Sequence, residues 1–330
     1  MSDDSNNHIN RTSQPITLHP DKLINKFESF ISNISRNRMV KKRSLDIKYN
    51  QVNDALINAC TSLVYFLNNE VDAITSSDYK LQLSNETIES IREVIERALV
   101  QAVRAASEVG DFVLINKLTH AAVGFATAVA HKTNDNAPLL TPRIFGEVIT
   151  SISKTKASHS KVKALWKCFI QDVASGSSLK LLSSAPSSYE LNAMLSSLGE
   201  RNKVSAALTL YRQMADNDAD VTIEGDAYTA SILFGILENS ITNGGVKNNN
   251  DGVHSISRGV KIVEDASPCW QWNEALSLLE TFSSSQLNNF AYAALLKINE
   301  RATEIYCGSG TQHNGVQCAM SVLERMKVSS

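Results

Sequence analysis

The chain has 330 residues, enough for one large or two ordinary domains, and 43% of them are hydrophobic, ample for a packed core. Aromatic residues at 6%, with only 14 glycines and 6 prolines, disfavour a turn-rich all-β fold and favour helices. A formal net charge of −2 supplies no global field toward nucleic acid or membrane, so any polyanion site must be local.

Residues 1–20 are polar and are expected to form a disordered tail. This segment lacks the apolar core of a secretory signal, and Asp3 and Asp4 make it a poor transit peptide. From Asp21 the pattern turns helical, with Pro20 ahead as a start signal and Leu23, Phe27, Phe30, Ile31 and Ile34 on one face. A basic cluster follows, Arg36, Arg38, Lys41, Lys42 and Arg43, readable as an exposed segment, a targeting signal or a phosphate patch. One stripe then runs from Val52 through Leu56, Ala59 and Leu63 to Leu67, and another from Ile88 through Ile91, Ile95 and Leu99 to Val103. Ser84 and Thr87 stand where the second stripe needs a cap. Gly110-Asp111 breaks that helix, and Phe112, Ile115, Leu118, Ala122 and Phe125 begin the next, which ends near Asn134–Pro138. No apolar run is expected to reach the ~20 residues that a bilayer span requires.

A short helix over Ile144–Ile152 and a second over Val162–Ile170 repeat this figure, joined by a Lys/Ser/His loop. A Ser-rich linker, 175–188, leads to "NAMLSSLGERNKVSAALTLYRQM" at 192–214: two short amphipathic helices around an elbow at Gly199–Lys203. "AYTASILFGIL" (227–237) and "FAYAALLKI" (290–298) copy its first helix; "WNEALSLLETF" (272–282) and "NGVQCAMSVLERM" (314–326) copy its second. Residues 238–268, with Gly244-Gly245 and Asn248-Asn249-Asn250, are expected to be a flexible insertion. Val221–Ile223 and Val260–Val263 are strand candidates too short to build a sheet. A lone hairpin of about 35 residues cannot bury its apolar face, whereas a row of them can, each covering its neighbour.

At these residues the chain resembles the pentatricopeptide-repeat family. The best match is 188–222, and "WNEALSLL" at 272–279 also resembles it. The resemblance covers 188–330 in roughly three units, with 96–173 as weaker helical hairpins and 21–95 as a helical N-terminal region. It implies an all-α, right-handed α-solenoid of antiparallel helix pairs. It also implies a protein that binds single-stranded RNA without catalysis, in organellar RNA processing, stability or translation. A mitochondrial or chloroplast location follows from the resemblance, while the N-terminus leaves cytoplasm or nucleus open. In the family, a short polar side chain early in the first helix pairs with a residue at the end of the repeat to read one base. Carried over, the first-helix positions are Asn192, Thr229 and Ala293, and the end-of-repeat partners fall near Glu224 and Asn288. Asn192 and Thr229 can instead bond their own backbone at a helix start. Tetratricopeptide-like arrays, which capture proteins or peptides, are the alternative.

Phosphate contact needs cations, and Lys180, Arg201, Lys203 and Arg212 surround the best hairpin; Lys154, Lys156, Lys161, Lys163 and Lys167, with His159, form a denser run. Tyr211, Tyr228, Tyr292, Trp166 and Trp272 sit at apolar helical positions and are expected in the core. The odd, widely spaced cysteines Cys60, Cys168, Cys269, Cys307 and Cys318 read as reduced thiols. "GSGTQHNG" (308–315) lacks the strand and Lys-Ser/Thr of a phosphate cradle; His120 and His131 lack a metal-spaced partner; and Asp216, Asp218 and Asp220 fit a repeat-end turn. The expectation is therefore a protein with no enzymatic activity, cofactor, metal, membrane contact or small-molecule substrate.

Overall fold

The computed structural model describes residues 20–43, 49–76, 83–133, 138–155, 159–174, 182–216, 221–244, 270–309 and 315–328. The N-terminal tail, most of the Ser-rich linker, residues 245–269, and Lys156, Lys180, Asp218, Asp220 and Val260–Val263 lie outside them. The described residues form 12 α-helices and no strand, an all-α fold. Val221–Ile223 is not a strand, and Ile223 N–H instead donates to the Met214 carbonyl at 2.8 Å. The chain divides into two units: Met1–Thr141 with Ser177–Ser183, and Pro142–Gly176 with Ser184–Ser330.

The first unit holds α1 (Pro20–Arg43), α2 (Tyr49–Ser76), α3 (Asn85–Glu108) and α4 (Phe112–Lys132). The boundary expected between 95 and 96 falls inside the unbroken α3. α1 packs on α3 and α2 on α4, so two hairpins lie against each other. Leu23, Phe27, Leu56, Leu63, Ile91 and Phe125 fill the middle, with Phe27 edge-on to Phe66 at 5.4 Å. The Ser84 hydroxyl caps α3 by accepting from Thr87 N–H, and Gly110, at φ +75°, makes the turn that lets Asp111 cap α4. Part of the basic cluster is structural. Arg38 pairs with Glu108, and Lys41 Nζ donates to the Glu108 carbonyl at 2.7 Å, a cation at a helix C-terminus. One expectation is corrected: α4 is long and apolar enough to cross a bilayer by length and composition. Its Leu114, Ile115, Leu118, Ala122, Phe125 and Val129 are buried inside the unit, the place of a core helix.

The second unit holds α5 (Pro142–Lys154), α6 (His159–Ala174), α7 (Ser188–Glu200), α8 (Val204–Ala215), α9 (Ala227–Gly244), α10 (Trp270–Thr281), α11 (Asn289–Ser309) and α12 (Gly315–Val328). These are four hairpins, each a first helix and a second. α5, α7, α9 and α11 pack in that order, each on the next, and α6, α8 and α10 each touch their own first helix and the following one. Leu191, Leu195, Ala207, Ala230, Leu233, Phe234, Ala291 and Leu295 are fully buried along this row. Tyr211 of α8 stacks on Phe282 after α10, with centroids 5.4 Å apart. Residues 238–244, expected in the insertion, continue α9, because Ile241 still packs in the core. The elbow between α7 and α8 closes through Asn202 at φ 53°, a conformation that the short amide side chain tolerates.

Small residues set the helix spacing. A Cβ at Gly199 of α7 would stand 2.7 Å from Ile236 Cγ1 of α9, inside van der Waals contact. Gly199→Val should therefore destabilise the unit by about 1–3 kcal/mol. Ile236→Ala should cost less in that background than alone, because it removes the clashing atoms. Urea midpoints of both single variants and the double variant check this, and strict additivity would contradict it.

Candidate nucleic-acid interface

A single register runs through the first helices. Met194, Leu195 and Leu198 of α7 are buried, and so, at the same distances from their helix starts, are Val148, Ile149 and Ile152 of α5 and Leu233, Phe234 and Leu237 of α9. Tyr292, Leu295 and Asn299 take the places in α11 that Leu191, Met194 and Leu198 have in α7. In this register the fifth helical residue is Gly146, Asn192, Ser231 and Ala293 in turn. The sequence match that put Thr229 opposite Asn192 was displaced by two residues. Thr229 is the third residue of α9 and is fully buried, so its hydroxyl cannot meet a ligand.

Helix capping explains both placements. Ser187, Asp226 and Asn288 precede α7, α9 and α11, and each side chain accepts from N–H groups of the first turn. The caps also reach backward along the row. Asn192 Nδ2 donates to Asp226 Oδ1 at 3.0 Å, Ser188 Oγ donates to Asp226 Oδ2 at 2.6 Å, and Thr229 Oγ1 donates to Asn192 Oδ1 at 2.7 Å. One hairpin later, Ser231 Oγ lies 2.8 Å from Asn288 Oδ1. The fifth residues of α7 and α9 thus clasp the cap of the next first helix. Sequence reasoning missed Asp226 and Ser231, yet aligning the repeats on their capping residues would have found both.

The remaining candidates separate. Asn288 is the α11 cap, and Glu224 is exposed, accepting from Gln286 Nε2 at 3.2 Å. Arg201 Nη1 donates to the Ser197 carbonyl and hydroxyl and so finishes α7, whereas Lys203 is exposed. Arg212 pairs with Glu274. Ala293 is exposed and offers no polar group. Lys154, Lys163 and Lys167 are exposed at the end of α5 and along α6.

Tyr211, Tyr292, Trp166 and Trp272 are core residues, but Tyr228 is 72% exposed. It is the second residue of α9, one place before the buried third residue, and that position turns outward. Its counterparts are Tyr189 of α7, 46% exposed, and Phe290 of α11, 80% exposed. Arg143 holds the same position in α5. Three aromatic rings therefore stand at one repeated position on consecutive first helices, which lie about 8–10 Å apart when packed. No protein-family model matches the chain, and no curated protein matches it.

Burial pushes the Asp226 carboxyl up, but hydrogen bonds from Ser188, the Thr229 N–H, Asn192 and the Thr229 hydroxyl outweigh it and hold it at about 2, below the ordinary 3.8. The unfolded chain binds more protons between these values, so the contribution is full above pH 3.8 and is lost as pH falls through 2. Discounted for solvent screening, it is about 1 kcal/mol. Asp226→Asn should lose this increment near pH 6 and converge with the wild type toward pH 2. Urea unfolding across that range checks it, and a pH-independent difference would contradict it.

Proposed function

We propose that the second unit is a pentatricopeptide-like right-handed solenoid that binds single-stranded RNA without catalysis, laid across the first helices. The observation that carries this reading is the exposed row Tyr189, Tyr228 and Phe290. Aromatic rings at a fixed repeat position suit stacking on successive bases, which is tolerant of sequence because every base has a π-face. The packing order, first helix on first helix with each second helix bridging forward, supports the solenoid. The polar groups at the fifth position lie close to the row, so Asn192 and Ser231 border any base stacked there, although both are engaged with the following cap.

Charge has a small part in this reading. Of the cations on α11, Lys297 pairs with Glu238 and Arg301 with Glu304. Stacking therefore supplies most of the affinity, and salt dependence is shallow. The same pairing favours a second reading, a protein-binding scaffold, in which the aromatic row anchors a peptide.

Titration of fluorescein-labelled homopolymer RNA decodamers with the purified full chain tests the proposal. Saturable binding to single strands but not to a duplex is expected. Tyr228→Ala should weaken it by about 5–150-fold, from the ~1–3 kcal/mol of one stacked base, at unchanged thermal stability. Absence of binding to every homopolymer would reject RNA and leave the scaffold.

A further inference from the structure

α12 repeats the sequence of α8 but not its burial. Val204, Ala207, Leu208, Leu210 and Tyr211 of α8 match Val316, Ala319, Met320, Val322 and Leu323 of α12. Leu210 and Val322 are both buried, and each helix packs on the first helix of its own hairpin. The other side differs. Val204, Leu208 and Tyr211 are 9%, 1% and 4% exposed, whereas Val316, Met320 and Leu323 are 77%, 51% and 37% exposed. α8 packs against α9, and its Tyr211 ring stacks on Phe282. In α12 the same spacing, one face of a helix, faces solvent.

We propose that the Val316–Met320–Leu323 stripe docks an amphipathic helix of another polypeptide, built like α9. That helix carries apolar residues at the spacing of Ala230, Leu233, Phe234 and Leu237 and lies against α12 as α9 lies against α8. The occupant follows from continuity: this would extend an interface that the unit already makes from α6 to α7, α8 to α9 and α10 to α11. A second copy meeting α12 face to face fits less well. A symmetric pair would set α12 against α12, and among the described residues no second helix of this unit packs on another second helix. The inference rests on hairpin packing and not on RNA binding.

The probe is a fluorescein-labelled peptide of this protein's own α9 sequence, residues 227–243, with a scrambled peptide as control, titrated with the full chain and read by anisotropy. Saturable binding of the α9 peptide alone is expected, weakened at least tenfold by Met320→Asp at unchanged thermal midpoint. Leu276→Asp, on the exposed side of α10, should leave it intact. No binding to the wild type, or equal binding to Met320→Asp, overturns the proposal. A wild-type dimer in sedimentation that Met320→Asp dissolves also overturns it, giving the face to a second copy.

Discussion

The second unit depends on the contact of each first helix with the next. Backbones at this contact come close because the side chains between them are small: Gly199 leaves room for Ile236, and Ala230 and Ala291 lie fully buried in the seam. Such packing removes apolar surface from water at roughly 25 cal/mol per Å². It also fixes rotation, since turning a first helix by one residue would drive its apolar face outward. Everything else in the unit inherits that rotation, including which position caps, which clasps the neighbour and which points away.

The capping residues add specificity to this contact. A cap satisfies N–H groups that a helix start leaves unpaired. Asp226 and Asn288 do so while also bonding Asn192 and Ser231 of the preceding hairpin. One capping position thus terminates one element and registers two. This dual use accounts for short polar residues at positions where the resembled family would read bases. It also accounts for Thr229, which is buried beneath its own cap.

Much of the architecture is legible in the residues. Three- and four-residue periodicity marks the helices, Ser84 and Gly110-Asp111 mark their ends, and the match of 202–214 with 314–326 marks the repeat. The register of the second first helix is not legible from the Tyr228-Thr229 pair. That pair imitates Leu191-Asn192 in polarity while standing two residues too early, and only burial of Leu233 and Phe234 separates the alternatives. The exposure of Tyr228 follows from the same shift. A tyrosine inside an apolar helix reads as core until the helix start is known. The length of α9 was also hidden, because Asn239, Ser240 and Asn243 look like loop residues although Ile241 still packs. Composition could not reveal the partial commitment of the α1 basic cluster, since Glu108 lies far away in sequence.

The central claim is that one register, set by first-helix packing, leaves a row of rings to meet single-stranded RNA. Ultraviolet crosslinking of the full chain to uniformly labelled RNA, with adducts located by mass spectrometry, tests it most directly. The account predicts adducts at Tyr189, Tyr228 and Phe290 together. Adducts confined to the first unit, or none at these positions while RNA is bound, would contradict it.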